Sequence, residues 1–436
     1  MQAQDRRFLF LQGPHGPFFG ALAERLGGLG AGTLRICLNA GDRAAWPRSL
    51  PSLALPGRVE THPAALARCL AAYGATDIVL YGARPLHEAA RGLAREAGLT
   101  CHVFEEGYLR PHWITYERGG ANGASPLIGL SLAQIRAAAA AIALPATEAP
   151  LSWGTARAHA VHGALYHARV LAGRHAFPAY RSHRDIGLGR EAWLNVLRLL
   201  RAPRLAVTSR LQAAKLLAAR TPYHLALLQL GHDGAVRRHS PFPDMAGFIE
   251  TCLAAFAKGA APDRHLVFKA HPFEDGREPL SRILRRGAAR YGLAGRIHLV
   301  AGGPLGPLLD RADAVVTVNS TAGQQALWRG LPLAALGCAV YDKPGLVSRQ
   351  ALPAFFARPD PPDRAAYLDF RRFLLATSQF RGSFYTKSGR QELLTTLPER
   401  MLSPQDGYAH AMAGPATQQQ PVALAPRTER AVDTVA

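Results

Sequence analysis

The sequence predicts an α/β protein built from two doubly wound, Rossmann-like halves. Short β-rich apolar runs alternate with helical patterns in residues 8–104 and again after residue 204, as in βαβ units around a parallel sheet. Polar residues follow these runs, and the carboxyl ends of parallel strands would gather them at one sheet edge. A stretch of different composition, residues 131–204, separates the two sets.

Length and composition limit the possible classes of protein. The chain has 436 residues, enough for two or three domains and a large core. No apolar run approaches the roughly 20 residues that span a bilayer, and residues 1–7 lead into a strand-like run without a signal-peptide pattern. We therefore expect a cytoplasmic protein. Its five scattered cysteines form no CxxC pair, which predicts reduced thiols.

The net charge of +20 predicts an acidic partner. Nucleic acid is disfavoured, because the basic residues are dispersed and no known recognition motif accompanies them. A phosphorylated substrate or an anionic membrane fits the charge. The alternative is that the basic excess forms only a solvated face.

The first half opens with a predicted strand at 8–11, a glycine-containing turn and a helix at 20–29. Such a turn lets backbone approach a ligand, but this one lacks the GxGxxG dinucleotide fingerprint. Further strands are predicted at 34–38 and 78–81. The loops after the strands carry polar groups that should converge on one sheet edge: Gln12, Asn39 with Asp42, Arg84 with His87, and Glu105 with Glu106.

Residues 104–125 concentrate acidic, glycine and aromatic residues in what we interpret as a polar crossing after the strand at 99–104. Two adjacent carboxylates repel each other, which raises one pKa and suits proton transfer from a hydroxyl. Glu105 and Glu106 are therefore candidate catalytic residues. The competing interpretation is an acidic pair that caps a helix or lies in solvent.

Residues 131–204 are rich in alanine, helical in period and basic. A metal site is disfavoured, because no carboxylate or cysteine accompanies the histidines of this stretch at ligand spacing. The run 193–201, with its arginines, fits a helix on an anionic membrane surface. A helical linker packed between two domains is the alternative. The histidines are His159, His162, His167, His175 and His183.

The second half repeats the pattern of strands followed by polar residues. Lys269 and His271 close the second predicted strand, and Asn319, Ser320 and Thr321 follow the fourth, directly before a helix. Free N–H groups at a helix start favour phosphate, so these residues predict a phosphate site. A simple N-cap is the competing interpretation. The predicted strands are 223–229, 266–269, 296–300 and 314–318.

Changes of pattern predict the domain boundaries. Residues 403–436, with a glutamine run and many alanine, proline and threonine residues, are typical of disorder. The predicted units are a first Rossmann-like domain at 1–130, a basic helical linker at 131–204, a second Rossmann-like domain at 205–350, helices at 351–402 that pack back on the first domain, and the disordered tail.

Eight motifs, in order, resemble those of a known family across most of residues 8–387. They are LQGPHGPFF, NAGDRAAW, FEEGYLRPHWIT, GANGAS, HSPF, KAHP, VNSTAGQQALWRGLP and QFRGSFY. The chain resembles the capsule polysaccharide biosynthesis family of the KpsS/LipB type. The resemblance implies a GT-B-like glycosyltransferase, whose two Rossmann-like domains face each other, the first on the acceptor side and the second binding nucleotide.

The resemblance implies a β-Kdo transferase that uses CMP-β-Kdo to start a capsule lipid linker on a (lyso)phosphatidylglycerol acceptor. It also implies a protein on the inner face of the cytoplasmic membrane, with other capsule synthesis or export proteins as partners, no nucleic acid, no metal and no cofactor. Two alternatives stay open. The donor could be another CMP-activated keto-sugar, or the chain could be a non-catalytic lipid-binding component of the export assembly.

The resemblance further implies roles for single residues. Residues 105–107, 271–272 and 320–321 correspond to the acidic-Gly, HP and Ser-Ser/Thr motifs of GT-B sialyltransferases. If the linkage retains the donor's β configuration, a carboxylate nucleophile is required, and Asp233 is the candidate. His271 is a further candidate catalytic residue, since it can supply charge or a proton. The residues implied for CMP and phosphate are Lys269, His271, Asn319, Ser320 and Thr321, and those implied for the acceptor or sugar pocket are Gln12, Asn39, Arg84 and Asn122.

Overall fold

The computed structural model describes residues 2–55, 62–143, 156–178, 180, 187–218 and 220–413. The strands in these ranges are β1 Arg7–Phe10, β2 Gly32–Cys37, β3 Ser52–Ala54, β4 Asp77–Tyr81, β5 Thr100–Glu106, β6 Trp113–Arg118, β7 Tyr223–Leu227, β8 His265–Lys269, β9 Ile297–Val300, β10 Ala314–Thr317, β11 Leu333–Ala335 and β12 Gln379–Arg381. The α-helices are α1 Phe18–Gly28, α2 Ala40–Ala44, α3 His62–Tyr73, α4 Pro85–Glu96, α5 Leu132–Ala140, α6 Ala156–Ala172, α7 Leu188–Ala218, α8 Gly234–His239, α9 Met245–Gly259, α10 Leu280–Arg290, α11 Gly306–Leu309, α12 Gly323–Trp328, α13 Leu352–Ala357, α14 Arg364–Thr377, α15 Lys387–Leu402 and α16 Gly407–Met412.

The first sheet has the strand order β12-β6-β5-β4-β1-β2-β3. Its five strands from β5 to β3 are parallel, and β6 and β12 extend the sheet in antiparallel pairing. Residues 8–10 of β1 are fully buried apolar residues, as expected for a central strand covered on both faces. The order reverses between β1 and β4, and such switch points bind ligands in open α/β sheets.

The second sheet has the order β11-β10-β7-β8-β9 and is parallel throughout. When the parallel strands of each sheet are numbered 1 to 5 along the chain, both sheets have the spatial order 3-2-1-4-5. The prediction of two Rossmann-like halves is therefore confirmed. The switch point of this second sheet lies between β7 and β10.

The carboxyl edges of the two sheets face each other. A Cβ atom built on Gly234, at the start of α8, would lie 2.8 Å from the carbonyl oxygen of Ala83. Arg238 of α8 lies 3.8 Å from the carboxylate of Glu88 on α4. Because Ala83 follows β4 and Gly234 comes after β7, the contact joins one carboxyl edge to the other. This is the GT-B-like fold that the motifs imply.

The C-terminal segment returns to the first half of the chain. β12 pairs with β6, and Leu393 and Leu397 of α15 pack in the same apolar cluster as Phe18 and Phe19 of α1. The sequence interpretation missed both antiparallel strands. Residues 104–125, interpreted as a polar crossing, contain β6, whose side chains alternate between two buried environments.

The prediction that the chain is disordered from residue 403 onward is wrong for residues 403–413, which include α16. Asp406 caps α16 by accepting the N–H of Ala409, and Tyr408 is buried. The Tyr408 ring stacks on Phe373 of α14 and its hydroxyl donates to Glu117 of β6. One aromatic anchor thus orders a segment whose composition indicates disorder. Residues 414–436 lie outside the described residues.

The predicted helical stretch 131–204 contains α5 and α6, while α7 continues past its end. A Cβ on Gly41 of α2 would lie 2.7 Å from the ring of Tyr166 on α6, so α6 packs tightly against the first half. Of the described helices, none has the length and apolar character needed to cross a membrane. His183 lies outside the described residues, and the domain boundaries themselves stay a prediction.

A buried charged cluster stabilises the amino end of the first sheet. Asp77, at the start of β4, accepts hydrogen bonds from Arg6 Nε at 2.6 Å, His102 Nε2 at 2.7 Å and Thr76 Oγ1 at 2.6 Å. Burial alone would raise the pKa of Asp77, but these donors outweigh it and hold the pKa at about 2. The carboxylate is therefore more stable in the folded protein than in the unfolded chain.

We expect Asp77→Asn to lower the free energy of unfolding by about 3–5 kcal/mol, since it leaves buried Arg6 without its anionic partner. Because the folded pKa of Asp77 lies below its ordinary value of 3.8, the stabilisation is complete above that pH and is lost as pH falls through about 2. Urea unfolding from neutral to acid pH measures this. The difference between wild type and variant should shrink below the ordinary pKa, and a constant difference would contradict the assignment.

Candidate active site

Glu105 is the penultimate residue of β5 and points into the cleft. Its Oε2 accepts a hydrogen bond from Asn122 Nδ2 at 3.2 Å, and its Oε1 accepts the backbone N–H of Glu106 at 2.9 Å. Burial, together with the nearby charges of Asp233 and Glu106, raises the pKa of Glu105 to about 7, against the lowering effects of the Glu106 N–H bond and of Arg110. A carboxylate with a pKa near neutrality is suited to act as a general base.

Glu106, the last residue of β5, is held by two tyrosines. Its Oε1 accepts the hydroxyls of Tyr81 at 3.2 Å and Tyr385 at 3.0 Å. The two hydroxyls lie 3.5 Å apart. The two predicted glutamates thus share a strand end but differ in surroundings, since Glu105 is held by amide groups and Glu106 by two hydroxyls.

Sequence reasoning missed Tyr385 as part of this site. It belongs to the motif QFRGSFY, which the C-terminal segment carries back to the first sheet. The His159 ring of α6 stacks on Tyr385 with a centroid distance of 4.4 Å and meets Phe273 edge-on at 5.4 Å. Phe273 in turn lies 5.7 Å from the ring of His271. α6 therefore contacts site residues of both halves.

The GANGAS loop connects Glu105 to the second half. Asn122 has a left-handed backbone with φ of 55°, which asparagine tolerates better than most residues. The next residue, Gly123, lies so close to His239 that a Cβ would come within 2.3 Å of the imidazole Cγ. Cys338 Sγ also lies 4.0 Å from the carbonyl oxygen of Gly123. Only a residue without a side chain fits between these halves at this point.

Gln12 and Asn39, predicted for a sugar or acceptor pocket, lie in a buried network. Gln12 is 5% exposed and Asn39 is 1% exposed. The amide nitrogens of both side chains donate to the hydroxyl of Tyr166, at 3.2 and 2.9 Å, and Tyr166 donates to Asp42 at 2.9 Å. The network fixes α6 on the strand ends. A contact of these two residues with substrate stays a prediction.

Arg84 lies at the rim of this network and is partly exposed. Its guanidinium donates to Gln12 Oε1 at 3.1 Å and to the carbonyl of Gly13 at 3.3 Å. His87, the other polar residue of this loop, is fully buried and bonds the Tyr81 carbonyl oxygen at 2.8 Å. Of the two, only Arg84 presents a charge near the cleft.

The second half contributes His271, which follows β8. His271 Nδ1 accepts the backbone N–H of Phe273 at 3.1 Å. A neutral ring with an accepting Nδ1 carries its proton on Nε2, so this atom is a hydrogen-bond donor. Lys269 is buried, donates to the carbonyl of Ala270 at 3.0 Å, and has its pKa lowered by burial. Its contact with phosphate stays a prediction.

Asn319 lies at the switch point of the second sheet, paired with a residue that sequence reasoning did not select. Gln229 Nε2 donates to Asn319 Oδ1 at 2.9 Å, and the Asn319 N–H donates to Gln229 Oε1 at 3.0 Å. Ser320 Oγ accepts the N–H of Ala322 at 3.2 Å, and Thr321 is half-buried beside it. The loop before α12 is thus fixed in place by its own hydrogen bonds.

Asp233 is exposed in the turn that leads into α8. It lies near enough to Glu105 for its charge to raise the pKa of that group. The structure therefore brings together the two carboxylates that the sequence assigns to different halves. In the described part of the chain, no group of three or more His, Cys, Asp and Glu side chains is arranged to hold a metal ion, and the predicted absence of a metal remains a prediction.

Comparison with known proteins supports the resemblance seen in the motifs. The family model described as capsule polysaccharide biosynthesis protein matches residues 76–385. The chain is 33% identical over 387 residues to the capsule polysaccharide export protein KpsS of Escherichia coli. This alignment covers 87% of this chain and 97% of KpsS. The chain is 30% identical over 391 residues to the capsule polysaccharide modification protein LipB of Neisseria meningitidis, covering 87% and 91%.

Among solved structures, the chain is similar to KpsC of Thermosulfurimonas dismutans, described as a beta Kdo 2,7 transferase. The two share 12% sequence identity with a TM-score of 0.43, and the match covers 90% of this chain and 99% of that one. The family model matches most of the chain, and KpsS and LipB align with it along nearly their whole length. The chain therefore belongs to the capsule polysaccharide biosynthesis family.

Proposed function

We propose that this protein is a glycosyltransferase that moves β-Kdo from CMP-β-Kdo to a (lyso)phosphatidylglycerol acceptor and so starts a capsule lipid linker. The observation that carries the proposal is that a candidate base and a candidate proton donor lie on the two facing sheet edges. A carboxylate with a pKa near neutrality lies at one sheet edge, and a histidine that can donate from Nε2 lies at the facing edge. The choice of Kdo and of the lipid rests on the KpsS/LipB motif pattern.

On the acceptor side, Glu105 accepts the proton of the attacking hydroxyl. The Asn122 amide bonds Oε2 and thereby orients the carboxylate. The neighbouring Glu106 is held by Tyr81 and Tyr385, which leaves it in the role of shaping the acceptor pocket. General base catalysis of this kind contributes about 10²–10⁴-fold to a rate.

On the donor side, cleavage of the bond between the anomeric carbon and the CMP oxygen leaves a phosphate dianion. Donors placed at this oxygen stabilise the developing charge without a metal or cofactor. The proposed donors are His271 Nε2 and the hydroxyls of Ser320 and Thr321, with Lys269 supplying positive charge. Asn319 positions the loop through its paired hydrogen bonds with Gln229.

Retention of the β configuration requires two displacements. In the first, an Asp233 oxygen bonds to the anomeric carbon as the CMP oxygen leaves with the bonding electrons. In the second, the acceptor oxygen, after losing its proton to Glu105, attacks the same carbon and releases the Asp233 carboxylate. The exposed position of Asp233 opposite Glu105 supports this role.

An exposed apolar stripe on α7 supports docking on an anionic membrane, which we place at the inner face of the cytoplasmic membrane. Trp193, Leu200, Val207 and Leu211 are 57–70% exposed and recur at seven- and four-residue spacing, so they share one helix face. Basic residues outnumber acidic ones along this helix. An amphipathic basic helix of this kind binds anionic lipid surfaces.

The test is incubation of the purified protein with CMP-Kdo generated in situ and a fluorescent lysophosphatidylglycerol, with and without a chelator. We expect a product heavier by one Kdo, formed equally with and without chelator, and formed about 10²–10⁴-fold more slowly by a Glu105→Gln control. A parallel incubation replaces CMP-Kdo by CMP-sialic acid, and product formed only in that incubation would establish the alternative donor. Tight lipid binding without any product would instead support a non-catalytic component of capsule export.

A further inference from the structure

Glu117 is a buried carboxylate that the proposed mechanism does not use. It lies on β6 and is 3% exposed. Three hydroxyl groups from separate segments donate to it: Tyr108 at 2.9 Å, Ser125 at 2.8 Å, and Tyr408. A single carboxylate thus joins the loop after β5, the GANGAS loop and the C-terminal helix α16.

The network continues from Glu117 to the candidate base. The Tyr108 hydroxyl, which donates to Glu117, accepts the backbone N–H of Asn122 at 2.6 Å. The side-chain amide of the same Asn122 donates to Glu105 Oε2 at 3.2 Å. An unbroken chain of hydrogen bonds therefore runs from Tyr408 through Glu117, Tyr108 and Asn122 to Glu105.

We propose that Glu117 and Tyr408 are positioning residues, which hold Asn122 against Glu105 and make the docking of α16 a requirement for an oriented catalytic base. The proposal rests on the proposed function, in which Glu105 is that base. Asn122 needs such support because its left-handed backbone is uncommon for a residue with a side chain. The bond from its N–H to Tyr108 and the bond from Ser125 to Glu117 fix the loop on either side of Gly123.

The network affects Glu105 through one hydrogen bond, from the Asn122 amide, and loss of this bond changes the pKa of Glu105 in a predictable direction. The charged groups that face Glu105 are Glu106 on its own strand, Asp233 on the loop before α8, and Arg110 on the loop after β5. The titratable tyrosines near it are Tyr81 and Tyr385. None of them belongs to the network, so they are unchanged when it is broken. Removing the Asn122 donor destabilises the charged carboxylate, which raises the pKa of Glu105.

The experiment compares Tyr408→Phe and Glu117→Gln with a matched control, Tyr116→Phe. Tyr116 is likewise a buried tyrosine, but its hydroxyl bonds His102 Nδ1 at 2.7 Å, on the opposite face of β6. Tyr408→Phe and Tyr116→Phe each remove a buried tyrosine hydroxyl and its hydrogen bonding, at a similar stability cost of about 1–3 kcal/mol. Only the first removes a member of the chain that leads to Glu105.

We expect Tyr408→Phe to lower kcat for Kdo transfer by about tenfold with little change in the KM for CMP-Kdo, and to move the acid limb of the pH-rate profile upward by about half a pH unit. Glu117→Gln should act in the same direction. Tyr116→Phe should leave the limb in place. An unmoved limb in Tyr408→Phe, or an equal shift in Tyr116→Phe, would show that the cluster is only structural.

A readout that needs no activity separates this proposal from the proposed function. The titration of the Glu105 carboxyl, followed by ¹³C NMR on glutamate-labelled protein and assigned with Glu105→Gln, reports its pKa directly. A higher pKa in Tyr408→Phe than in wild type and Tyr116→Phe supports the network even if no transfer is found. An identical pKa in all three overturns the network even if transfer is found.

Discussion

Glu105→Gln is expected to lower kcat/KM for transfer by about 10²–10⁴-fold while leaving the fold intact. Glutamine keeps the size of the side chain and can still accept the Asn122 hydrogen bond through its carbonyl oxygen, with loss of the bond from the Glu106 N–H, but it cannot take a proton from the acceptor. Burial of Glu105 within a polar cleft means that removing its charge costs the folded protein little stability. Initial rates and thermal unfolding together measure the two effects.

The pH dependence of the wild-type rate provides a second measurement of the same residue. A base acts in its deprotonated form, and burial raises the pKa of Glu105 to about 7. The rate should therefore be low on the acid side, where the carboxylate is protonated, and should rise as pH increases through about 7. This rise is the acid limb of the pH-rate profile. The residual rate of Glu105→Gln should lack this limb.

Glu106→Gln is the matched control, since it makes the same replacement of a carboxylate by an amide at the adjacent residue. Tyr81 and Tyr385 hold Glu106, so we expect this variant to weaken acceptor binding while retaining the acid limb. The reverse outcome, in which Glu106→Gln removes the limb and Glu105→Gln retains it, would exchange the two roles. Full activity in both variants would remove the pair from the mechanism.

The position of the glutamate pair could be predicted because its cause is local in sequence. A buried β-rich run leads directly into Glu105 and Glu106, and parallel strands place such residues at a common edge. Tyr385, one of the two tyrosines that orient Glu106, could not be predicted in this way. Tyr385 is 279 residues away along the chain, and only the return of the C-terminal segment brings it to the site.

The buried network at Gln12 and Asn39 shows a second limit of sequence reasoning. Both residues lie at the predicted strand ends, as expected, but a polar side chain there can bind substrate or be satisfied by the protein itself. The deciding contact is the Tyr166 hydroxyl, from a helix 127 residues after Asn39. The alanine-rich, basic sequence of residues 131–204, which include this helix, predicted only helical structure here, and gave no signal that one tyrosine would enter the cleft.

The same limit applies to α16. Its six residues are too few to show a helical period, and the surrounding composition is that of a disordered tail. What orders it is tertiary contact, because Tyr408 reaches a carboxylate on β6 that lies 291 residues earlier. Short elements that depend on one long-range anchor are therefore the part of this fold that local patterns describe least well.

His271→Asn is expected to lower kcat for transfer by about 10²–10³-fold, the cost of removing one donor from a developing oxyanion. In the structure Nδ1 of His271 accepts the Phe273 N–H, so a neutral His271 ring carries its proton on Nε2, the atom that we propose as donor to the leaving phosphate. An asparagine side chain reproduces the position of Nδ1 but has no atom at the position of Nε2. It therefore preserves the loop and removes only the contact with the leaving group.

His271→Gln tests the same assignment in the opposite direction. The longer glutamine side chain can place its amide N–H near the position of Nε2, so this variant should recover part of the activity that His271→Asn loses. Rates at saturating acceptor, with CMP release followed separately, would distinguish slower bond cleavage from weaker acceptor binding. Equal loss in both variants would show that the imidazole acts through its charge or shape, and an unchanged rate in His271→Asn would exclude Nε2 as the donor to the leaving phosphate.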